Sequence, residues 1–387
     1  MFFHAESLRS ARVSFILAIV PGVLVLAGCS SAGSTTPPSS RWEPSGSSSG
    51  TSSGSSGGTA GSSSGSSSGG GGTSSGSGSS GGEASDAGSG TTISADTTWS
   101  NGQQIATSIT IASGVTVTIA PGATITVAAN AAITVAGTLT ASSATGTHAL
   151  LTGTGWTGLS VVSGGTLSLD GVDITGASTA LATLSGATSA EYDDGTITGA
   201  TTPFDIATGT TLGTKHATVT GTLGTSRVSG SFVASYLDYD SNGNEGITTL
   251  DPTATESIED SKLHGSGPVA DMVISATGAA SIHIAYTDIT NVHCGFHFDT
   301  ITAFDVSYTN VESNAYGFML YGSAGTGSRS VTYSNIDQNG IAYDTEGSNG
   351  PITFDHDYIT GTQNPGDAVS VTNTAPSTLI GTGPRAQ

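Results

Sequence analysis

The chain has 387 residues, of which 57 are Gly, 10% are charged and 6% are aromatic. Eight Lys and Arg against 29 Asp and Glu give 8 − 29 = −21, and so few cations exclude the basic stripe that a nucleic-acid-binding protein needs. The Gly residues follow no three-residue period, which excludes collagen, and few stretches carry helix formers at helical spacing, which excludes an all-helical fold.

At the amino terminus, Arg9 and Arg12 precede an almost wholly apolar run from Val13 to Ala27, followed by Gly28-Cys29. A basic flank, a short apolar core and small residues at its end read as an export signal. The run is 15 residues long and interrupted by Pro21-Gly22, whereas a bilayer-spanning helix needs about 20 apolar residues. Leu26-Ala27-Gly28-Cys29 resembles the lipobox of bacterial lipoproteins. That resemblance implies cleavage after Gly28, acylation of Cys29 (palmitate among the chains) and attachment to a membrane through that lipid. Stable anchoring takes more than one acyl chain, which is what bacterial lipoproteins carry. Ser30 and Ser31 follow, not Asp, which in Gram-negative lipoproteins implies passage to the outer membrane. The alternative is an ordinary secretory signal with an incidental Cys. The other cysteine, Cys294, then has no disulfide partner and reads as a small buried apolar residue.

Residues 29–95 read as a disordered linker. Within residues 51–80, 26 of 30 are Gly or Ser and none is charged, so no apolar surface exists to bury. A chain of this kind spans on the order of 40–50 Å.

From residue 96 the pattern changes. Val115-Thr116-Val117-Thr118-Ile119 and Ala123-Thr124-Ile125-Thr126-Val127 alternate with period two, are rich in β-branched residues and are punctuated by Pro121-Gly122 and Ala129-Asn130. A four-residue unit ending in an apolar residue then recurs. It reads Gly-Val-Asp-Ile at 171–174, Asp-Gly-Thr-Ile at 194–197, His-Ala-Thr-Val at 216–219, Tyr-Leu-Asp-Tyr at 236–239 and Asp-Ser-Lys-Leu at 260–263. It continues as Tyr-Thr-Asp-Ile at 286–289, Tyr-Thr-Asn-Val at 308–311, Tyr-Ser-Asn-Ile at 333–336 and His-Asp-Tyr-Ile at 356–359. Steps of 20 to 26 residues, each holding two or three short strands, define the coil of a β-solenoid. The last residue of each unit is expected to stack inward, and Asp288, Asn310 and Asn335 to form an outward ladder. A second inward position is expected at Phe204, Ala270, Phe296 and Phe318. About 12 coils at roughly 4.8 Å each give a rod on the order of 55–60 Å long.

Residues 113–122 (Ser-Gly-Val-Thr-Val-Thr-Ile-Ala-Pro-Gly), Gly137-Thr138-Leu139-Thr140-Ala141 and Gly155-Trp156-Thr157-Gly158-Leu159 resemble the opening of bacterial right-handed parallel β-helix surface proteins of the pectin-lyase-like superfamily. The resemblance implies an all-β right-handed parallel β-helix over 96–380, followed by a disordered tail at 381–387. It leaves function open between lyases, glycosidases, epimerases and non-catalytic adhesive rods.

The chemistry of the repeat region is sparse. Lys215, Arg227, Lys262, Arg329 and Arg385 are scattered, and residues 91–387 hold 25 acids against these five bases, an unfavourable field for an anionic polymer. Asp193-Asp194 lies in the turn Tyr192-Asp193-Asp194-Gly195 and reads as turn composition. Asp238, Asp240, Asn242 and Asn244 follow the start of an EF-hand loop, which makes them a candidate Ca²⁺ set, although the twelfth position is Thr249 where that loop has Glu. Otherwise Asn242-Gly243 is a tight turn. A second constellation joins His293, Cys294, His297 and Asp299, with Phe296 and Phe298 inward and His297 and Asp299 outward. Asp271 is expected one coil below His297 and Asp344 two above, with Tyr321 and Glu346 continuing the Asp299 column. Asp271, His297 and Asp299 are the candidate catalytic groups if the protein is a polysaccharide lyase or glycoside hydrolase. The reading favoured by the residues is a non-catalytic, monomeric adhesion or carbohydrate-binding rod at the cell surface.

Overall fold

The computed structural model describes residues 90–386, apart from 144–145, 268–271, 279, 324–326 and 367 and the side chains of 323 and 346–349. The export signal, Cys29 and the linker up to residue 89 lie outside the described residues.

All regular structure described is β. In Thr116–Ile119, Thr124–Val127, Ala132–Val135 and Thr138–Ala141 every second residue is buried and the Thr residues face outward. β-Branched side chains suit such a pleated, half-buried surface. Each strand pairs in parallel with its equivalent on the next coil. Thr116 lies beside Thr138, Thr138 beside Thr166, and the series runs through to Ile352 beside Val369. Thirteen strands make one sheet and 23 the other, the larger sheet receiving two strands per typical coil. The protein is a right-handed parallel β-helix, and its thirteen-stranded face matches the expected number of coils to within one. Pairing begins earlier than residue 96, since Thr91–Ile93 adds a strand beside Ile109–Ile111.

The inward stack falls in register as expected: Ile174, Ile197, Val219, Tyr239, Leu263, Ile289, Val311, Ile336 and Ile359 pair in succession. All but Ile359 are buried, each such side chain contributing about 1.5–3 kcal/mol. The second inward position differs at one coil. Ile274, not Ala270, lies beneath Phe296, because the 26-residue coil takes its extra residues between His264 and Met272. Phe296 in turn stacks on Phe318 with centroids 4.6 Å apart.

A typical coil turns its first corner on one residue of positive φ. Asp194, His216, Tyr236, Asp260, Tyr286, Tyr308, Tyr333 and His356 all have φ between 49° and 61°. Side chains resist this conformation, which costs about 1–3 kcal/mol at a non-Gly residue. The stack compensates it, since each of these corner N–H groups donates to the coil above: Tyr286 to Ser307, Tyr308 to Thr332, Tyr333 to Asp355 and His356 to Thr372. The second turn is held by buried amides, where Asn314 accepts from the Val292 N–H and donates to the Ile289 carbonyl, and Asn339 repeats this one coil later.

Candidate functional site

The corner column places one outward side chain per coil, and six of the nine residues that open the repeated units are Tyr or His. Rings on successive coils lie against one another along the helix axis, tilted at His216–Tyr236 and stacked from Tyr286 to His356. His216 lies 5.0 Å from Tyr236, Tyr286 4.9 Å from Tyr308, Tyr308 5.3 Å from Tyr333 and Tyr333 4.9 Å from His356. Tyr286, Tyr308 and Tyr333 are parallel to within 7°. Tyr308 and Tyr333 remain 37% and 41% exposed. Two residues along, the expected ladder forms: the Asn310 amide donates to Asp288 at 2.7 Å and the Asn335 amide donates to Asn310 at 2.9 Å.

The column is interrupted at Asp260, and the chain's own carboxy-terminal segment fills the gap. Beyond the last strand, Val369–Thr372, the chain runs back along the ladder. Leu379 exchanges hydrogen bonds with the Asn335 amide, the Gly383 N–H donates to the Tyr308 carbonyl, and Arg385 reaches Asp260. The guanidinium donates through Nε and Nη2 to the two Asp260 oxygens, each at 2.6 Å, and lies 3.9 Å above the Tyr286 ring. A planar fork meeting a carboxylate while stacking on a ring is geometry that Arg supplies and Lys does not. The Arg385 hydrogen bonds hold the Asp260 carboxyl below its ordinary pKa, and Asp260 in turn raises that of Arg385. Residues 381–386, expected as a disordered tail, are therefore seated on the helix because Arg385 finds an anion 125 residues away. Beneath it a cavity of about 360 Å³ is lined by Tyr236, Leu237, Asp238, Asp260, Lys262 and Pro384.

The candidate Ca²⁺ residues are divided between two tasks. Asp238 and Asp240 share one face of the strand Asp238–Asp240, where His264 on the next coil stands 2.9 Å from Asp238 and 4.0 Å from Asp240. This hydrogen bond lowers the Asp238 pKa and raises that of His264. Asn242 and Asn244 instead turn their amide nitrogens to the Thr222 carbonyl, both at 3.0 Å, and Asn242 and Gly243 make the turn with positive φ. Asn242 and Asn244 are thus engaged in the turn, Asp240 accepts from the Asn242 N–H, and Asp238 is paired with His264. Asp194, expected in a turn, forms a corner and lies 3.5 Å from His148.

The other constellation lies on strand Cys294–Thr300 and its neighbours. Phe296 and Phe298 are buried as expected, and His297 is outward with Asp299 at 3.4 Å. Met319 pairs above His297, and Asp344 pairs above Met319, two coils up as expected. Beneath His297 the register places Ser275, not Asp271, for the same reason that moves Ala270; Asp271 itself lies outside the described residues. Tyr321 pairs with Gly347 rather than Glu346, after a register shift beyond Met319. The Tyr321 ring lies 5.9 Å from His297 and the His293 ring 5.4 Å from Tyr316. Burial raises the Tyr321 phenol pKa, and Asp344, Tyr316, Cys294 and Asp299 raise it further, so these groups crowd one patch.

The corner rings and Arg385 are the site residues that sequence reasoning missed. The Tyr and His residues stood at the first position of the repeated unit and were legible there, whereas nothing local to Arg385 points to Asp260.

No protein-family model matches the chain, and no curated protein does. Among solved structures, the A-module of Azotobacter vinelandii mannuronan C-5 epimerase AlgE4 aligns with a TM-score of 0.44 at 10% identity, over 66% of this chain and 90% of that one. At that level the likeness says nothing of this chain's activity.

Proposed function

We propose that the protein is a non-catalytic, monomeric surface β-helix that binds polysaccharide along its corner column. In this reading the linker displays it from a lipid on Cys29, at the outer membrane or cell surface. The observation that carries the proposal is the unbroken run of rings Tyr286, Tyr308, Tyr333 and His356 on successive coils, with Tyr308 and Tyr333 exposed beside one another. A polymer of repeated sugars meets the same group at every step of roughly 4.8 Å, and Tyr offers both an apolar body and a hydroxyl to it. The patch around His297 supports binding better than catalysis. A raised pKa keeps the Tyr321 proton in place at neutral pH, the reverse of what a phenolate base requires. The three arginines of the repeat region are engaged within the helix, Arg227 with Asp205, Arg385 with Asp260 and Arg329 with the Pro351 carbonyl.

The test is binding of the full-length chain to immobilised pectic, alginate and glucan polymers, with and without Ca²⁺. Replacing both Tyr308 and Tyr333 by Ala is expected to weaken binding at least about tenfold. Release of product that His297→Ala abolishes would reject the proposal in favour of a lyase or hydrolase. Labelling of the chain by palmitate in bacteria is expected and is lost in Cys29→Ser; labelling that persists in this variant rejects the anchor.

A further inference from the structure

The patch on strand Cys294–Thr300 collects sulfur and nitrogen donors that polysaccharide binding does not use. Cys294 and His297 stand three residues apart on that strand, and Met319 pairs directly above His297. The Cys294 Sγ lies 3.8 Å from the Met319 Sδ. The two nitrogens of His297 differ in kind. Nε2 is 3.4 Å from the Asp299 carboxylate, while Nδ1 is buried and has no hydrogen-bond partner. A buried ring nitrogen left without a partner costs free energy unless something occupies it. A carboxylate on one nitrogen with the other turned away is the arrangement by which metal-binding imidazoles are oriented.

Donor chemistry decides which ion suits such a site. Thiolate, thioether and imidazole are soft or intermediate donors that favour copper(I), whereas Ca²⁺ and Mg²⁺ require oxygen. Structural zinc takes four Cys, His or carboxylate ligands, and a thioether is not among them. The donor beside Cys294 and His297 is the Met319 thioether, 3.8 Å from the Cys294 sulfur and in register with His297. Asp299 and Asp344 add negative charge around the patch, which favours a cation. Met319 and His297 are partly exposed, which leaves an entry path to the buried thiol.

We propose that Cys294, Met319 and His297 form a binding site for a soft monovalent cation, copper(I), with Asp299 as the positioning residue that orients His297. The site is independent of the corner column and of whether that column binds sugar.

The test titrates copper(I) into the full-length chain, anaerobic and reduced, against a chromophoric copper(I) chelator. One tightly held equivalent is expected. Cys29→Ser, which removes the other thiol of the chain, leaves it in place. Cys294→Ser and Met319→Leu each weaken it more than about tenfold, and Asp299→Asn weakens it by roughly tenfold through the loosened ring. Met319→Leu conserves volume, so an unchanged melting curve separates loss of a ligand from loss of fold. X-ray absorption of the copper-loaded chain is expected to show sulfur neighbours that decrease in Met319→Leu. An equivalent that survives both Cys294→Ser and Met319→Leu, one that vanishes in Cys29→Ser, or no equivalent at all overturns the proposal.

Discussion

Glu256 offers the sharpest check on how the coils pack. Its strand, Thr255–Glu259, buries every second residue, and register places Glu256 between Phe232 below and Ile282 above. One carboxyl oxygen accepts from the Thr249 hydroxyl; the other is buried with no partner. Burial pushes the Glu256 pKa up to about 8 from an ordinary 4.5. The unfolded chain therefore gives up this proton at lower pH than the folded one, so stability falls as pH rises between these values and levels off above pH 8. At about 1.4 kcal/mol per pH unit, the loss accumulated by pH 7.5 is on the order of 4 kcal/mol. Glu256→Gln keeps the acceptor for Thr249, and its amide nitrogen replaces an equally unpartnered hydroxyl. This variant is expected to match the parent near pH 4.5 and to exceed it by a margin growing to several kcal/mol near pH 8. Denaturant melts of parent and variant from pH 4.5 to 9 measure the difference, in which the remaining titrating groups cancel. Parallel profiles would refute the buried neutral carboxyl.

Three further outcomes follow from the geometry. Arg385→Ala or Asp260→Asn is expected to release the returning segment, seen as faster hydrogen exchange at Leu379 and Gly383 with no change at the core residue Val331; unaltered exchange would show that the ion pair does not hold it. The Asp238–His264 pair contributes stability that is lost as pH rises through the raised His264 pKa and again as pH falls through the lowered Asp238 pKa. Both groups are substantially exposed, so its worth is about 0–1 kcal/mol, and the direct measurement is His264 titration by NMR, whose pKa should drop toward 6.5 in Asp238→Asn. Gly158 has φ 124°, and a Cβ there would sit 1.5 Å from the Thr179 carbonyl oxygen. Gly158→Ala is expected to cost more than about 4 kcal/mol; a melting point within a few degrees of the parent would contradict this.

The fold was legible because a solenoid writes its register into the sequence. The apolar residue ending each unit, from Ile174 to Ile359, is also the residue that stacks, and period-two bursts such as Thr116–Ile119 announce their buried face directly. The register departs from expectation where a coil changes length, since four added residues between His264 and Met272 exchange Asp271 for Ser275 beneath His297. The corner conformation was hidden for a different reason. Tyr has no intrinsic preference for positive φ, so its place at the corner follows from stacking on the coils above and below, which no single unit displays. Arg385 was illegible because its partner is fixed only by the path of the returning chain.

The acidic coils pose a problem that parallel stacking makes acute. Equivalent positions lie roughly 4.8 Å apart, so two carboxylates in one column repel by about 3 kcal/mol at an effective dielectric of 20. The columns avoid this by alternation: Asp238, Lys262, Asp288, Asn310 and Asn335 succeed one another, and Asp205 is followed by Arg227. Histidines bridge elsewhere, with His148 between Asp173 and Asp194 and His283 between Glu259 and Asp305. Among the described strand pairs two acids meet in register only at Asp170–Asp193 and Glu312–Asp337. In each pair one member, Asp193 or Glu312, has a raised pKa, through burial first and then through its neighbour's charge. The net charge of −21 therefore does not act as a uniform repulsion along the helix axis. It is carried by columns that separate like charges coil by coil, and this separation is what lets an acidic sequence stack in parallel.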